Sequence, residues 1–385
     1  MHKQMLGVFA VMGMALLCLS ACVSAQSALA VSPGSAPASD ACESLPSSPS
    51  VSDGAAQSGP PPALRLPEAV ADPSADPLTG LPRDEDAPAG TRPLAVLIDN
   101  LQAALPQRGL QQADLVFEAV TEGGVTRLVA VFSDYAAMPQ TGPVCFAREP
   151  QLRLTLGLDT LYLFAGASPE AKELLAQYRP EAAVLDARDR TGALSLDAQR
   201  SLSTAIEHCW FTDGELFSAA AQRYELACVP EGAPRAAFQF VPPDQEPRRL
   251  SDGDAGEVYV RFSSYANSAF TYDADAGQYV KSQFGAPHID ENTGEAVTFD
   301  NLLILFSAGA DAADGEGFYV CGSRYEAVRW AREAPDAPLC VLTTDENLTL
   351  AAINPGRTYV AMVGRELSAY FRIDGSAVLS SVGEP

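Results

Sequence analysis

Residues 114–133 (DLVFEAVTEGGVTRLVAVFS) limit what this chain can fold into more than any other stretch. Two runs of β-type residues flank Gly123-Gly124, the pattern of a β-hairpin with a glycine turn. In the first arm Leu115, Phe117 and Ala119 face one way; Val116, Glu118, Val120 and Glu122 face the other. The second arm, residues 125–132, is almost wholly apolar, as expected of a strand buried on both faces. Glu118, Glu122 and Arg127 interrupt this surface. Charges in such a place must be paired or face a cleft. The three therefore read either as part of a site or as an ion-pair network that fixes strand register.

The N-terminus reads as a targeting signal. Lys3 precedes an apolar run, residues 6–19, that is too short to span a bilayer. It ends in Leu19-Ser20-Ala21-Cys22, which resembles the lipobox of bacterial lipoprotein signals. The resemblance implies a signal peptide over 1–21, cleavage before Cys22 and a diacylglycerol on its thiol; an ordinary signal cut after Ala21 is the competing reading. Two or three acyl chains would hold such a protein stably on a membrane. Residues 22–76 are rich in Ser, Pro, Ala and Gly, and no aromatic residue occurs between Phe9 and Phe117. This composition cannot offset its own ordering entropy and reads as a disordered tether, with an end-to-end distance of roughly 40 Å. The expected location is the outer face of the cell membrane.

A formal net charge of -24 argues against nucleic-acid partners and against electrostatic docking on anionic lipid. Cys18 leaves with the signal, and Cys42, Cys145, Cys209, Cys228, Cys321 and Cys340 remain besides Cys22. The compartment permits disulfides. No CxxC spacing occurs, so neither a zinc site nor any other cofactor is expected.

Further along, residues 94–98 form an apolar run ending at Asp99-Asn100: a buried strand with polar residues at its carboxyl end, where α/β sheets commonly place ligands. Residues 158–164 read as a second buried strand. Ser168-Pro169-Glu170 opens a helix with an apolar stripe at Ala171, Leu174, Leu175 and Tyr178. Asp213 caps another helix over 214–224, with Leu216, Phe217 and Ala220 inward. From Arg235 onward short β-type runs recur, at 237–241, 257–262, 269–272, 302–306, 317–321, 339–343 and 358–363. Asp273-Ala274-Asp275-Ala276-Gly277 begins like a calcium loop, but Phe284 stands where the loop needs glutamate, so a hairpin turn between Tyr272 and Tyr279 is expected. His288 near Asp290 reads as an acid/base pair or a loop hydrogen bond. Cys321 and Cys340 fall in neighbouring predicted strands and could form a disulfide. The expected fold class is α+β: an N-terminal mixed α/β sandwich domain over 77–230, then a mostly β C-terminal domain over 235–385.

Residues 77–82, 92–100, 106–132, 142–148 and 166–171 resemble the YerB-like bacterial lipoproteins, a two-domain family of unknown function. Pro287-His288-Ile289-Asp290, Asn301, Trp330 and Asn354-Pro355-Gly356-Arg357-Thr358-Tyr359 continue the resemblance. It implies a lipid-anchored, extracytoplasmic protein and no established activity. Three motifs depart from the family's pattern. Gly-Pro-Val-Arg-Ser-Ala-Arg is here Gly142-Pro143-Val144-Cys145-Phe146-Ala147-Arg148. The family's His before Ala-Gly-Gly-Ser-Pro is Phe164, before Ala165-Gly166-Ala167-Ser168-Pro169. The family's Pro-His-Asn, then an apolar residue, Tyr and Thr, is Glu207-His208-Cys209-Trp210-Phe211-Thr212. Cys145 and Cys209 thus occupy polar motif positions, and would be able to form a disulfide if the motifs converge.

Candidate ligand-binding residues are Asp99, Asn100, Glu118, Glu122, Thr126, Arg127, Arg148, Ser168, His208 and Thr212. With Phe146, Phe164 and Trp210 nearby they suit a glycan or a peptide. Glu118 and Glu122 as paired carboxylates would suit a cell-wall hydrolase, but Gly-x-Ser-x-Gly, metal-binding His pairs and phosphate loops are absent from the sequence. The favoured reading is a non-catalytic envelope binding or scaffolding protein, held to the membrane through Cys22 and meeting cell-wall glycan, peptide or envelope protein. A purely structural role remains the third reading.

Overall fold

A computed structural model describes residues 66–83, 90–189, 191–230, 232, 235–345, 347 and 349–378. The expected signal peptide, Cys22, Cys42 and most of the expected tether lie outside these residues. The tether's last part is described. There Leu66 N–H donates to Glu333 Oε1 (2.6 Å), Val70 N–H donates to Gln239 Oε1 (3.2 Å), and Ala75 bridges to Pro82.

The first half contributes β1 (Leu94–Asp99), β2 (Leu115–Val120), β3 (Thr126–Phe132), β4 (Leu161–Phe164) and β5 (Val184–Asp186) to one large sheet. β2 and β3 form the expected hairpin, from Leu115 opposite Val131 to Val120 opposite Thr126. Gly123 and Gly124 turn it with φ of 73° and 76°, a region that disfavours side chains with a Cβ. β1 runs antiparallel to β3, and β4 and β5 follow parallel to β1. The strand expected over 158–164 is shorter, because Leu156–Leu158 forms a 3-10 turn that ends at Asp159 with φ 54°.

Three helices, α1 (Glu149–Thr155), α2 (Pro169–Tyr178) and α3 (Gly214–Arg223), complete this half among the described residues. The caps of α2 and α3 are those the sequence indicates; α1 was not anticipated. Ser168 Oγ accepts from Ala171 N–H at 3.2 Å, and Asp213 Oδ1 from Leu216 N–H at 2.8 Å. A two-stranded sheet, β6 (Ser195–Leu196) with β7 (Trp210–Phe211), precedes α3.

The second half is almost all β, which makes the fold α+β. β8 (Gly253–Asp254), β9 (Glu257–Arg261), β10 (Asn267–Asp273), β11 (Gln278–Gln283), β12 (Asn301–Ser307), β13 (Asp314–Cys321), β14 (Arg324–Ala331), β15 (Cys340–Leu342), β16 (Thr358–Gly364) and β17 (Arg372–Ile373) are its main strands. The turn between Tyr272 and Tyr279 joins β10 to β11, with those tyrosines paired across it. Residues 237–241 make only an isolated bridge, Phe240 to Ile353, where a strand was expected; Pro242-Pro243 directly follows and supplies no N–H donor. β14 escapes a search for apolar runs because Arg324, Glu326 and Arg329 interrupt it.

The large sheet crosses the boundary between the two halves. Its order is β15-β14-β13-β12-β16-β2-β3-β1-β4-β5, with β8 beside β14. β16, near the end of the chain, lies parallel to both β12 and β2, with Leu115 opposite Thr358 and Ala119 opposite Met362. Side chains alternate between two cores. A second sheet, in the order β11-β10-β9-β17 with the short strand Thr298–Phe299 beside β11, covers one side, where Val96, Ile98, Val116, Leu128 and Tyr359 pack with its Phe270 and Phe299. Ala95, Leu115, Phe117, Val129 and Val360 pack on the other with Leu174, Leu175 and Trp330.

Arg357 and Asp114 brace the seam, the first through its guanidinium and the second through its backbone carbonyl. Arg357, on the turn into β16, donates to the carbonyls of Leu110 (2.8 Å), Ala113 (2.9 Å) and Thr298 (2.7 Å), and its guanidinium lies 5.1 Å from the centroid of Phe299. Burial pulls its pKa down to about 10, so it remains charged at neutral pH. Asp114 Oδ2 accepts from Ser133 N–H at 2.7 Å, while its carbonyl accepts from Thr358 N–H at 3.1 Å. Burial, with Asp76 nearby, pushes the Asp114 carboxyl up to about 6. An unfolded aspartate titrates near about 3.9, so the native state binds this proton more tightly. Its contribution to stability is fully present below pH ~4 and falls as pH rises to about 6. Asp114→Asn keeps an acceptor for Ser133. We expect it to raise stability at pH 7 by about 1–2 kcal/mol and to flatten the decline between pH 4 and 6, as measured by urea denaturation across that range.

Candidate functional site

β1 ends in two polar residues that point to different places. Asp99 sits opposite Arg127 across the β1–β3 ladder, and Arg127 bonds Asp99 Oδ1. The turn Ile206–His208 brings His208 Nδ1 to 2.9 Å from Asp99 Oδ2, and Leu101 N–H donates to Oδ1 at 3.0 Å. Both oxygens of this buried carboxylate are thus engaged, and Nδ1 donating to Asp99 leaves Nε2 as the other nitrogen of the His208 ring.

Asp99, Arg127 and His208 line a pocket of about 630 Å³. Most of its wall is apolar: Leu101, Val144, Cys145, Phe146, Leu194, Ile206 and Trp210, with Arg188 and Glu207 as further charged residues. The segment 142–148 reaches the pocket because Val144 N–H donates to Trp210 O (2.8 Å) and Cys145 N–H to Leu97 O (2.8 Å). Gly166, with φ 96°, lets the Phe146 ring close on the backbone, since a Cβ there would stand 2.5 Å from Phe146 Cε2. The guanidiniums of Arg148 and Arg188 lie 4.4 and 5.8 Å from the Phe146 ring centroid. Burial pushes the Cys145 thiol up to about 12 despite Arg127 beside it, so it stays protonated at neutral pH.

Asn100 turns inward instead. Its Nδ2 donates to Thr126 Oγ1 (2.8 Å) and Glu118 Oε1 (3.1 Å), and its Oδ1 accepts from Gln107 Nε2 (3.1 Å). Glu118 is 1% exposed. Tyr359 O–H and Ser268 O–H donate to its Oε2, and Lys281 Nζ lies 3.7 Å from that oxygen. Lys281 also donates to Gln283 Oε1 at 2.9 Å. Burial holds its pKa below the usual lysine range, with Glu118 opposing that shift in part. His288 Nε2 meets Gln107 Oε1 at 2.6 Å, and burial, with Lys281, holds this ring well below the usual histidine range, hence neutral. Asp290 accepts from Gln111 N–H instead of meeting His288, which leaves the hydrogen-bond reading and not the acid/base pair.

The structure separates residues that the sequence reading grouped together. Glu118 is sealed inside, whereas Glu122 has a 60% exposed side chain and pairs with Arg148. The two carboxylates therefore share no cleft, and the glycosidase arrangement is not formed. Thr126 belongs to the internal network, and Ser168 is spent on capping α2. Thr212 is buried, its backbone paired with Thr141. Phe164 is in the core rather than at the pocket.

Neither expected disulfide is present; all five described cysteines are free. The motifs carrying Cys145 and Cys209 do converge, but the thiols turn apart, toward Phe146 O and toward Thr204 O and Ala205 O. Cys321 and Cys340 lie on strands that both flank β14, opposite Arg324 and Ala331. Seven residues of strand, roughly 23 Å, separate those positions, far beyond disulfide reach.

The sequence reading missed Gln107, Lys281, Ser268 and Tyr359. The signal for Lys281 was its place two residues from Tyr279 in an alternating strand whose Tyr279 side is buried.

The chain matches the family described as "Protein of unknown function (DUF3048) N-terminal domain" over residues 78–266 and its C-terminal domain counterpart over 258–360. It is 33% identical over 239 residues to the protein named "Putative lipoprotein YerB" of Bacillus subtilis (strain 168). That match covers 60% of this chain and 66% of the relative, just under two thirds of its length. The crystal structure of YerB from Bacillus subtilis superposes with a TM-score of 0.61 at 24% identity, covering 75% of this chain and 96% of that one, a likeness of fold.

The two glutamates of the hairpin should respond oppositely to substitution. Glu118→Gln leaves Lys281 without its counter-charge and should cost about 2–4 kcal/mol in chemical denaturation. Glu122→Ala should cost at most a few tenths of a kcal/mol, roughly what an exposed pair contributes. Equal effects would refute the assignment.

Proposed function

Because the chain belongs to the DUF3048 family of YerB-like proteins, we propose that it is a lipid-anchored envelope protein that binds a glycan or peptide in the Asp99–His208 pocket without transforming it. The observation that carries this reading is the pocket itself: about 630 Å³, largely apolar, with Phe146 and Trp210 in its wall and its central carboxylate already engaged. That is the composition of a recognition site. Among the described residues the lining includes no Ser or Thr hydroxyl, and the Cys145 thiol is protonated, so no activated nucleophile there supports covalent chemistry. One second reading has a specific support, the His208–Asp99 hydrogen bond, which orients a ring able to activate water in a hydrolase.

The anchor rests on Leu19-Ser20-Ala21-Cys22 and on the name of the relative. Among the described residues, no helix is long and apolar enough to cross a membrane. Cys22→Ser should move the protein from the membrane fraction to the soluble fraction and remove its fatty acid by mass spectrometry. Retention on membranes without acyl mass would overturn the anchor.

Trp210 reports on the pocket, because the other tryptophan, Trp330, is 1% exposed in the core. Titration with muropeptides or envelope-derived peptides should change Trp210 emission saturably, and Trp210→Phe should abolish the signal. Silence of Trp210 toward both ligand classes would remove the binding reading. Product formation lost on His208→Gln would replace it with the hydrolase.

A further inference from the structure

We infer that the ligand presents a bulky apolar side chain from an extended, positively charged peptide segment, and not a sugar ring. This deepens the binding reading of the same pocket and rests on it. The first support is hydrogen-bonding capacity. Asp99 is taken by Arg127, Leu101 N–H and His208 Nδ1, and Arg188 has Asp186 at 3.7 Å. A hexose pressed against the Leu101, Val144, Leu194 and Ile206 wall would leave the hydroxyls on that side without partners, each at a cost of roughly 1–3 kcal/mol, whatever Glu207 and His208 Nε2 offered the rest. An aliphatic or aromatic side chain asks for no such partners and matches the Leu101, Val144, Leu194 and Ile206 wall.

The second support is the rim. Leu196, Leu202 and Ile206 are 39%, 78% and 56% exposed, within one short stretch of chain. Leu196 is the cross-strand partner of the pocket-lining Trp210, and Ile206 itself lines the pocket. Apolar surface therefore continues from the cavity onto the outside, which suits an anchor side chain with flanking residues laid over the rim. The third support is charge. The net charge of -24 draws cationic ligands to the protein; within the lining Asp99 and Glu207 balance Arg127 and Arg188, and the exposed carboxylate of Glu207 beside Ile206 is the local acceptor for a cation. A neutral oligosaccharide gains nothing from that field.

The test is fluorescence anisotropy of labelled decapeptides against the full chain and its Ile206→Glu variant. The principal probe carries lysines around a central Phe-Leu pair. One comparator replaces Phe-Leu with Ser-Ser, a second replaces Lys with Glu, and a labelled chitin-type oligosaccharide is the third. The principal probe should bind, and each peptide comparator should bind at least about tenfold more weakly. Ile206→Glu should weaken the principal probe by about tenfold even though it adds negative charge, because it spoils the apolar rim. Equal binding of the Ser-Ser peptide, or no effect of Ile206→Glu, overturns the inference. Ile206-dependent binding of the oligosaccharide alone overturns it while leaving the pocket a binding site. If none of the probes binds, the inference falls; Trp210 titration then decides separately whether the pocket binds anything.

Discussion

Glu118 is a carboxylate buried beneath a sheet, and its surroundings decide how the rest of the chain can assemble. Its partners come from far apart in the sequence: Asn100, Ser268, Lys281 and Tyr359. An unpaired charge at that depth would be costly. The arrangement that satisfies it also sets β16 beside β2 and lays the second sheet over the first. Packing alone would accept several registers of two apolar strands; this polar cluster accepts the one in which Tyr359 reaches Glu118. Arg357, two residues before Tyr359, adds two carbonyl contacts across the same boundary, to Leu110 and Ala113.

The carboxyl end of β1 divides a closed polar centre from an open one. Asp99 faces the pocket, while Asn100 faces the internal cluster, and Gln107 touches both through the Asp99 carbonyl and the Asn100 side chain. Position at a strand end, which commonly marks a ligand site, here opens onto the pocket at one residue and ties the core together at the next. The pocket wall is then built from segments that sheet pairing has already fixed: 142–148 against β1 and Trp210, and 206–208 against Asp99.

Much of this was legible in the sequence. Period-two alternation gave the hairpin and its two faces, and Ser168 and Asp213 marked helix starts, because these depend on neighbours in sequence. Asp99, Arg127 and His208 were also named, as polar residues in otherwise apolar or motif-like surroundings. The choice between Glu118 as site and Glu118 as core was not legible. It depends on Lys281 and Tyr359, more than 150 residues away, which no local pattern links to it. The disulfides failed for a related reason: adjacency of two motifs does not specify which way each thiol turns, and β14, broken by charges, hides between the strands of Cys321 and Cys340.

The position of β16 has a consequence for how the chain is made. β2 acquires one neighbour, β3, almost at once, but its other neighbour begins at Thr358, some 240 residues later. At roughly 5–20 residues per second, a growing chain would hold that edge unpaired for about 12–50 seconds. An uncovered apolar edge invites pairing with another chain. For a chain exported before it folds, as the anchor reading implies, the same edge stays open until Thr358 has crossed the membrane, so the sheet closes only then.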